Sequence, residues 1–177
     1  MIHGRFQPLH LGHLEYLLAG ASVCDTLIVG IANPDPAYVT FEPADPARGE
    51  PAANPCTYYE RYLMVEAALT AAAVGRERLR IVPFPHSMPE RLFHYAPREA
   101  TYLLTIYDGW GDGKLRRFHS LGLATRVLWR RRQKLTTGSE VRRRIRSGED
   151  WGPLVPATVG DVIRERGIDR RMRGFGD

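Results

Sequence analysis

Apolar residues along the chain alternate between short continuous runs and segments with helical spacing. After an apolar start, runs of strand length recur at residues 26–32, 79–83, 100–106 and 124–129. Between the start and the first run, five apolar residues recur every three or four positions, as on one face of a helix: Leu11, Leu14, Leu17, Leu18 and Ala21. Strands that alternate with helices predict an α/β fold, a Rossmann-like doubly wound parallel sheet with a C-terminal helix.

Three helix starts carry a capping-box pattern, in which a hydroxyl residue precedes a glutamate by three positions. The pairs are Thr57 with Glu60, Ser87 with Glu90, and Thr137 with Glu140. They predict a second helix over residues 57–74, a short helix that ends at Tyr95, and a helix after residue 137. The glycine-rich segment 107–113 predicts a turn, followed by a helix that starts at Lys114 and that Gly122 ends.

The chain length predicts one domain. We place it at residues 1–168 and expect residues 169–177 to form a frayed basic tail. Residues 33–55 are rich in proline, alanine, aspartate and glycine and have no periodicity. A loop of that length in a compact domain is typical of a lid, so we interpret it as a mobile loop on the substrate side.

The charge distribution argues against a nucleic-acid partner. The net charge is +5, and the arginines concentrate in residues 126–146 and 164–173. Trp129 is the aromatic residue interleaved with them, whereas a base-stacking surface needs several. Cys24 and Cys56 have no disulfide or metal-ligand spacing. With no leader pattern and no membrane-spanning run evident, we expect a soluble cytoplasmic protein that binds no membrane.

The first ten residues after the initial strand carry the candidate chemistry, in the sequence Gly-Arg-Phe-Gln-Pro-Leu-His-Leu-Gly-His from Gly4 to His13. His10 and His13 are three residues apart at the start of a helix, which places both imidazoles on one side of its first turn. A helix N-terminus favours anions, and two imidazoles add directed donors. The segment therefore predicts a binding site for a phosphate chain.

A second glycine-containing helix start, Thr136-Thr137-Gly138-Ser139-Glu140-Val141-Arg142, lies far downstream. Gly138 lets an anion approach the backbone, and the helix N-terminus points at that anion. Arg142 lies one turn into the helix, where its guanidinium can close on a phosphate. Ligands of doubly wound sheets bind beyond the carboxyl ends of the strands, so we expect the two segments to meet.

These segments resemble the signatures of the nucleotidyltransferase superfamily. The first is similar to G-R-F-Q-P-x-H-x-G-H of archaeal-type nicotinamide mononucleotide (NMN) adenylyltransferases, and it includes Gly4, Arg5, Phe6, Gln7 and Gly12. The second is similar to I-S-G-T-x-I-R with the hydroxyl residues exchanged. Residues 54–61 resemble N-P-F-T-x-x-E-R, with Cys56 in place of the aromatic. Residues 151–156 resemble a W-x-x-L-V-P element that packs a C-terminal helix onto the domain.

The resemblance implies a role for each motif residue. His10 and His13 donate to the reacting and bridging phosphates, while Thr137, Ser139 and Arg142 hold the β and γ phosphates. Arg5 and Arg61 complete the phosphate clamp. The transfer of a nucleotide from a nucleoside triphosphate, which the resemblance implies, also implies Mg²⁺, held mostly by the triphosphate and water rather than by protein ligands.

The resemblance weakens in the two segments that, in the adenylyltransferases, would bind the substrates and determine which nucleotide base and which acceptor are used. Residues 83–95 and 105–114 match neither the tryptophan segment nor the S-G-N-type turn of the adenylyltransferases. The candidate acceptor-side residues in these two loops are His86, Arg91, Tyr107, Asp108, Trp110 and Lys114. His3, His94 and His119 have no motif behind them, so we expect them to be structural.

Three functions remain open at this point. The preferred hypothesis is transfer of CMP from CTP to a small phosphonate or phosphate with release of pyrophosphate, as in related cytidylyltransferases of phosphonate natural-product pathways. The second is NMN adenylyl transfer from ATP. The third is a non-catalytic nucleotide- or RNA-binding module, which would bind with a steep salt dependence. The sequence leaves the base, the acceptor and assembly into a homo-oligomer undecided.

Overall fold

The computed structural model describes residues 1–35 and 49–174. Within those residues, strands and helices alternate as the apolar pattern predicts. The strands are β1 (Ile2–Gly4), β2 (Leu27–Ala32), β3 (Leu79–Phe84), β4 (Tyr102–Ile106) and β5 (Thr125–Arg130). The helices are α1 (Leu11–Ala21), α2 (Tyr58–Ala71), α3 (Gly109–Ser120), α4 (Gly138–Ser147), α5 (Ala157–Glu165) and α6 (Ile168–Arg173).

The strands pair in parallel, in the spatial order β3, β2, β1, β4, β5. β1 pairs with β2 and β2 with β3, while β4 pairs with β5. A backbone hydrogen bond from Leu103 N–H to the Met1 carbonyl, at 2.8 Å, joins the two groups. This arrangement confirms the predicted Rossmann-like parallel α/β fold.

Apolar side chains cover both faces of the strands. Along β4, Leu103 packs into one cluster, together with residues of α1, α2, α4 and α5. Its neighbours Tyr102 and Leu104 belong to the cluster on the opposite face, which includes Phe118 of α3. The continuous apolar runs of the sequence follow from this double burial, since both faces of each central strand need apolar residues.

The structure contains the capping box predicted at Thr57 but not the one predicted at Ser87. At α2, the Thr57 hydroxyl accepts from Glu60 N–H and the Glu60 carboxylate accepts from Thr57 N–H, which confirms the predicted box. The box predicted at Ser87 is wrong. The helix there is a 3₁₀ turn over Pro89–His94 without a side-chain cap, and the Ser87 hydroxyl bonds the Asn33 side chain instead.

The glycine-rich segment predicted as a turn is the start of α3, which begins at Gly109 and not, as predicted, at Lys114. Asp108 supplies the cap, because its side chain accepts from Gly111 N–H at 3.1 Å. A Cβ on Gly111 would lie 3.2 Å from the Ile106 Cα, so this glycine allows α3 to pack closely against the end of β4.

Residues 169–173 are more ordered than predicted, whereas residues 175–177 of the predicted tail lie outside the described residues. In place of a frayed tail from residue 169, the chain forms α6, in which Ile168 and Met172 are fully or almost fully buried. Arg171 pairs with Glu60 at 2.6 Å and donates to the Pro55 carbonyl. The burial of two apolar side chains and this ion pair hold α6 against the start of α2.

Residues 36–48, which make up most of the predicted lid, lie outside the described residues. Across the described ranges, the helices are all too short or too polar to cross a membrane.

Candidate active site

A cavity of about 420 Å³ lies beyond the carboxyl ends of β1 and β4. Both glycine-containing segments line it, so the predicted meeting of the two motifs is confirmed. The lining from the motifs comprises Gly4, Arg5, Phe6, Gln7, His10, Gly12, His13, Thr137, Gly138, Ser139 and Arg142. An anion in this cavity would meet the N-termini of α1 and α4 together.

The two histidines of the first motif are stacked, with ring centroids 3.7 Å apart. His10 is the N-cap of α1, and its Nδ1 accepts from His13 N–H at 3.3 Å. Phe6 is fully buried with a φ of 52° and packs edge-on against the His13 ring at 4.9 Å. Because His10 Nδ1 is the acceptor in the cap, its Nε2 carries the proton of the neutral ring.

Both imidazoles are neutral near pH 7. Burial, together with the Arg142 and Lys134 charges, lowers the pKa of His10 to about 4. Burial also holds the pKa of His13 well below its ordinary value, with smaller contributions from His10 and Arg5. A neutral imidazole can still donate one hydrogen bond, and a bound triphosphate would raise both pKa values because it favours the charged rings.

Arg142 joins the second motif to the first. The guanidinium donates from Nη1 to the Gln7 carbonyl at 2.5 Å and from Nη2 to the Ser139 hydroxyl at 3.1 Å. Thr137 caps α4 by accepting from Glu140 N–H. The Glu140 carboxylate pairs with Arg143 and Arg144 on the outer face of the helix and does not complete the predicted capping box.

Gly138 allows the close approach of the two motifs. A Cβ at this position would lie 2.9 Å from the Gln7 carbonyl oxygen and 3.3 Å from Arg142 Nη1. The Gln7 side chain in turn exchanges two hydrogen bonds with the Cys56 backbone, at 2.9 and 2.8 Å. The strand-to-helix turn of the first motif is therefore held from two sides.

Arg61 does not reach the cavity, which corrects its predicted place in the phosphate clamp. It is 2 % exposed, and its guanidinium donates to the carbonyls of Arg5, Ala32, Asn33 and Thr57. A buried guanidinium with four carbonyl partners is committed to the backbone around it. Arg61 therefore positions the end of β2 and the first motif, whereas Arg5 itself lines the cavity.

Four of the six acceptor-side candidates line the cavity: Tyr107, Asp108, Trp110 and Lys114. The Lys114 ammonium lies 4.3 Å from the centroid of the Trp110 ring. The other two candidates lie elsewhere. His86 is not part of the lining, and its ring centroid lies 6.4 Å from that of His3. Arg91 is exposed.

Sequence reasoning assigned no site role to seven residues of the lining: His3, Tyr16, Thr105, Gly111, Lys134, Leu135 and Thr136. Thr105 lies at the carboxyl end of β4, where ligands of such sheets bind, and Gly111 lies in the first turn of α3. Thr136 is the first residue of the second motif, and residues 134 and 135 directly precede it. His3 and Tyr16 carry no motif signal. They reach the cavity because the parallel strands place the start of the chain beside β4.

The described residues do not fit a metal centre held by the protein. Within residues 1–35 and 49–174, no group of three or more histidine, cysteine, aspartate or glutamate side chains converges on one point. Asp108 lines the cavity, but its carboxylate caps α3 and lies 3.8 Å from Lys134.

Comparisons with known proteins agree with the resemblance to the nucleotidyltransferase superfamily. A family model described as Cytidylyltransferase-like matches residues 1–83. The chain is 65 % identical to a phosphonoformate cytidylyltransferase of Streptomyces viridochromogenes, over 98 % of this chain and 94 % of that one. It is 29 % identical to a nicotinamide-nucleotide adenylyltransferase of Thermococcus kodakarensis, over 94 % and 83 %.

Solved structures show the same fold. A bifunctional NMN adenylyltransferase/ADP ribose pyrophosphatase from Francisella tularensis matches with a TM-score of 0.67 at 15 % identity. That match covers 98 % of this chain and 51 % of the longer one, so the chain spans about half of that bifunctional protein. From the shared fold, the two converging motifs and the 65 % identity, we conclude that the chain belongs to the cytidylyltransferase-like nucleotidyltransferases, enzymes that use a nucleoside triphosphate.

Proposed function

We propose that this enzyme transfers CMP from CTP to a small phosphonate and releases pyrophosphate. The observation that carries the proposal is the 65 % identity to a phosphonoformate cytidylyltransferase over almost the whole length of both chains. The NMN adenylyltransferases match at 26–30 %. Of the two segments that differ from the adenylyltransferase pattern, residues 105–114 line the cavity through Tyr107, Asp108, Trp110 and Lys114, which agrees with a different acceptor.

The reaction exchanges one phosphorus–oxygen bond for another. A phosphonate oxygen of the acceptor attacks the α-phosphorus of CTP, and the bond from that phosphorus to the bridging oxygen breaks. The bonding electrons leave with pyrophosphate. Because the phosphonate oxygen is already anionic near neutral pH, the attack needs no general base, and catalysis consists of positioning and charge stabilisation.

The residues of the two motifs would supply that stabilisation. His10 and His13 are neutral and stacked, so each can donate one hydrogen bond. Together they would contact the phosphate that reacts and the bridging oxygen. Arg142 and the N-terminus of α4 would hold the β and γ phosphates, with Thr137 and Ser139 as hydroxyl donors. Donors that are fixed before the reaction stabilise developing charge without reorganisation.

Magnesium is part of this proposal as a companion of CTP. Since the described residues offer no protein-held metal centre, we expect the ion to enter bound to the triphosphate and to water. Titration of activity against MgCl₂ at fixed CTP tests this. We expect activity to follow the concentration of the Mg–CTP complex, and activity that survives excess chelator would contradict it.

The experiment for the proposed function is a matrix of pyrophosphate release. ATP, CTP, GTP and UTP are each combined with phosphonoformate, methylphosphonate and NMN. Turnover with CTP and a phosphonate supports the proposal. Turnover confined to ATP and NMN would replace the proposed function with NMN adenylyl transfer. The observation in favour of that second function is the similarity of the first motif to the adenylyltransferase signature.

A further inference from the structure

His3 is an unexplained polar residue in the wall of the cavity. It is 5 % exposed, and neither of its ring nitrogens has a hydrogen-bond partner. Native proteins pair almost all buried polar groups, because an unpaired one costs stability. An apolar residue of similar shape would avoid that cost, so the unpaired imidazole calls for a functional reason.

The surroundings of His3 fix its ring but leave its nitrogens unused. The ring stacks on Phe84 with centroids 4.6 Å apart and lies 5.2 Å from the Phe118 ring. Both partners are buried members of the apolar cluster on this face. The aromatic contacts hold the imidazole in place, as a recognition group requires, and they offer it no hydrogen-bond acceptor.

The electrostatics at this wall favour an anion. Burial lowers the pKa of His3 most, and Lys114, His86 and the N-terminal amine of the chain each lower it further, because a positive charge on any of them disfavours the charged ring. His3 is therefore neutral near pH 7 and has one N–H to donate. Lys114 lines the same cavity. A small acid placed here would meet a hydrogen-bond donor and a positive charge.

His3 and the phosphate motif are adjacent in the chain. Gly4 and Arg5 follow His3 directly and line the same cavity. An acceptor whose phosphonate faces the first motif would therefore have the rest of its structure beside β1 and the start of α3. A second acidic group close to the phosphonate is the feature of such an acceptor that this wall can recognise.

We propose that His3 donates a hydrogen bond to a second acidic group of the acceptor, a carboxylate, and that with Lys114 it selects phosphonates that carry one. The proposal rests on the proposed function for the identity of the reacting group. His3 is then a binding residue of the acceptor subsite, whereas the sequence alone suggested a structural histidine.

The test compares two acceptors in two proteins. Phosphonoformate carries a carboxylate and methylphosphonate does not. His3→Phe preserves the aromatic stack and removes both nitrogens, and His94→Phe makes the same change at an exposed position outside the cavity. In the wild type, phosphonoformate should have the higher kcat/KM. His3→Phe should lower kcat/KM for phosphonoformate by about ten- to hundredfold, the range for a hydrogen bond to a charged group.

The remaining readouts separate recognition from folding. In His3→Phe, the KM for CTP and the kcat/KM for methylphosphonate should stay within about twofold of wild type, and the melting temperature should be equal or higher because an unpaired polar group is gone. His94→Phe should behave like wild type. If His3→Phe keeps the wild-type preference for phosphonoformate over methylphosphonate, the proposal is overturned.

A binding measurement covers the case in which the proposed function itself fails. If the wild type shows no cytidylyl transfer to either phosphonate, that function is lost, and ¹⁵N NMR of histidine-labelled protein then tests His3 alone. The His3 nitrogen signals, identified by their absence in His3→Phe, should shift when phosphonoformate is added and not when methylphosphonate is added. Unchanged signals with phosphonoformate would make His3 a structural residue.

Discussion

The contact between Gly138 and Gln7 makes a sharp prediction for Gly138→Ala. The new Cβ would lie 2.9 Å from the Gln7 carbonyl oxygen, whereas ordinary van der Waals contact begins at 3.4 Å. The obstacle is backbone, so α4 and the first motif must move apart by about 0.5 Å. The same carbonyl accepts the 2.5 Å hydrogen bond from Arg142, which the displacement would stretch.

The size of the effect follows from the precision that catalysis needs. A misplacement of about 1 Å costs about a hundredfold in rate, so half that distance should lower kcat/KM by about tenfold. Stability should change less. Overpacking costs about 1–3 kcal/mol, and the lower flexibility of alanine returns about 0.4–1 kcal/mol.

Gly109→Ala is the matched control. Gly109 is the first residue of α3 after its cap, just as Gly138 is the first residue of α4, and a Cβ at Gly109 has no atom within 4 Å. Pyrophosphate release and urea unfolding are measured for both variants. Gly138→Ala should lose activity while Gly109→Ala keeps it. Equal activities, or equal losses, would show that the contact between Gly138 and Gln7 does not set the geometry of the site.

Three further predictions concern Arg142, Arg61 and His10. Arg142→Lys keeps the charge but loses the forked contact to Gln7 and Ser139, and it should lower kcat by about 10²–10³-fold in steady-state assays with little change in unfolding by urea; kcat within threefold of wild type would contradict this. Arg61→Met leaves the buried Ala32 carbonyl without its 2.6 Å donor, and it should lower the free energy of unfolding in urea by at least about 1–3 kcal/mol; an unchanged midpoint would show that the guanidinium is dispensable. The pKa of His10 is about 4 in the folded state, below its unfolded value of about 6.5, so the unfolded chain binds more protons at acidic pH. The free energy of unfolding therefore decreases as pH falls from about 6.5 toward 4, by up to about 3 kcal/mol from this residue. Melting curves from pH 7 to 5 should show this loss, and His10→Asn should lessen it; an equal slope in the variant would remove His10 as the cause.

The sequence predicted the fold and the core of the site because both depend on local patterns. Apolar runs mark strands buried on both faces, and a capping residue with a glycine one or two positions later marks the starts of α1 and α4. The start of α3 was missed because three glycines between Gly109 and Gly113 resemble a turn. Only the packing of Gly111 on Ile106 and the Asp108 cap show why a helix begins there.

The correction for Arg61 and the proposal for His3 depend on contacts that a local pattern does not contain. The role of an arginine in a motif depends on what its guanidinium reaches, and Arg61 reaches backbone carbonyls that lie far from it in sequence. His3 has no motif, and its interest comes from partners that it lacks in the folded chain. Such long-range contacts and missing contacts leave no trace in a local sequence pattern.

Competition between substrates in one reaction distinguishes cytidylyl transfer to a phosphonate from NMN adenylyl transfer. Equimolar CTP and ATP are mixed with equimolar phosphonoformate and NMN, magnesium and the enzyme, and ³¹P NMR follows the products. We expect the CMP ester of phosphonoformate together with pyrophosphate. NAD as the main product would instead assign the enzyme to NMN adenylyl transfer.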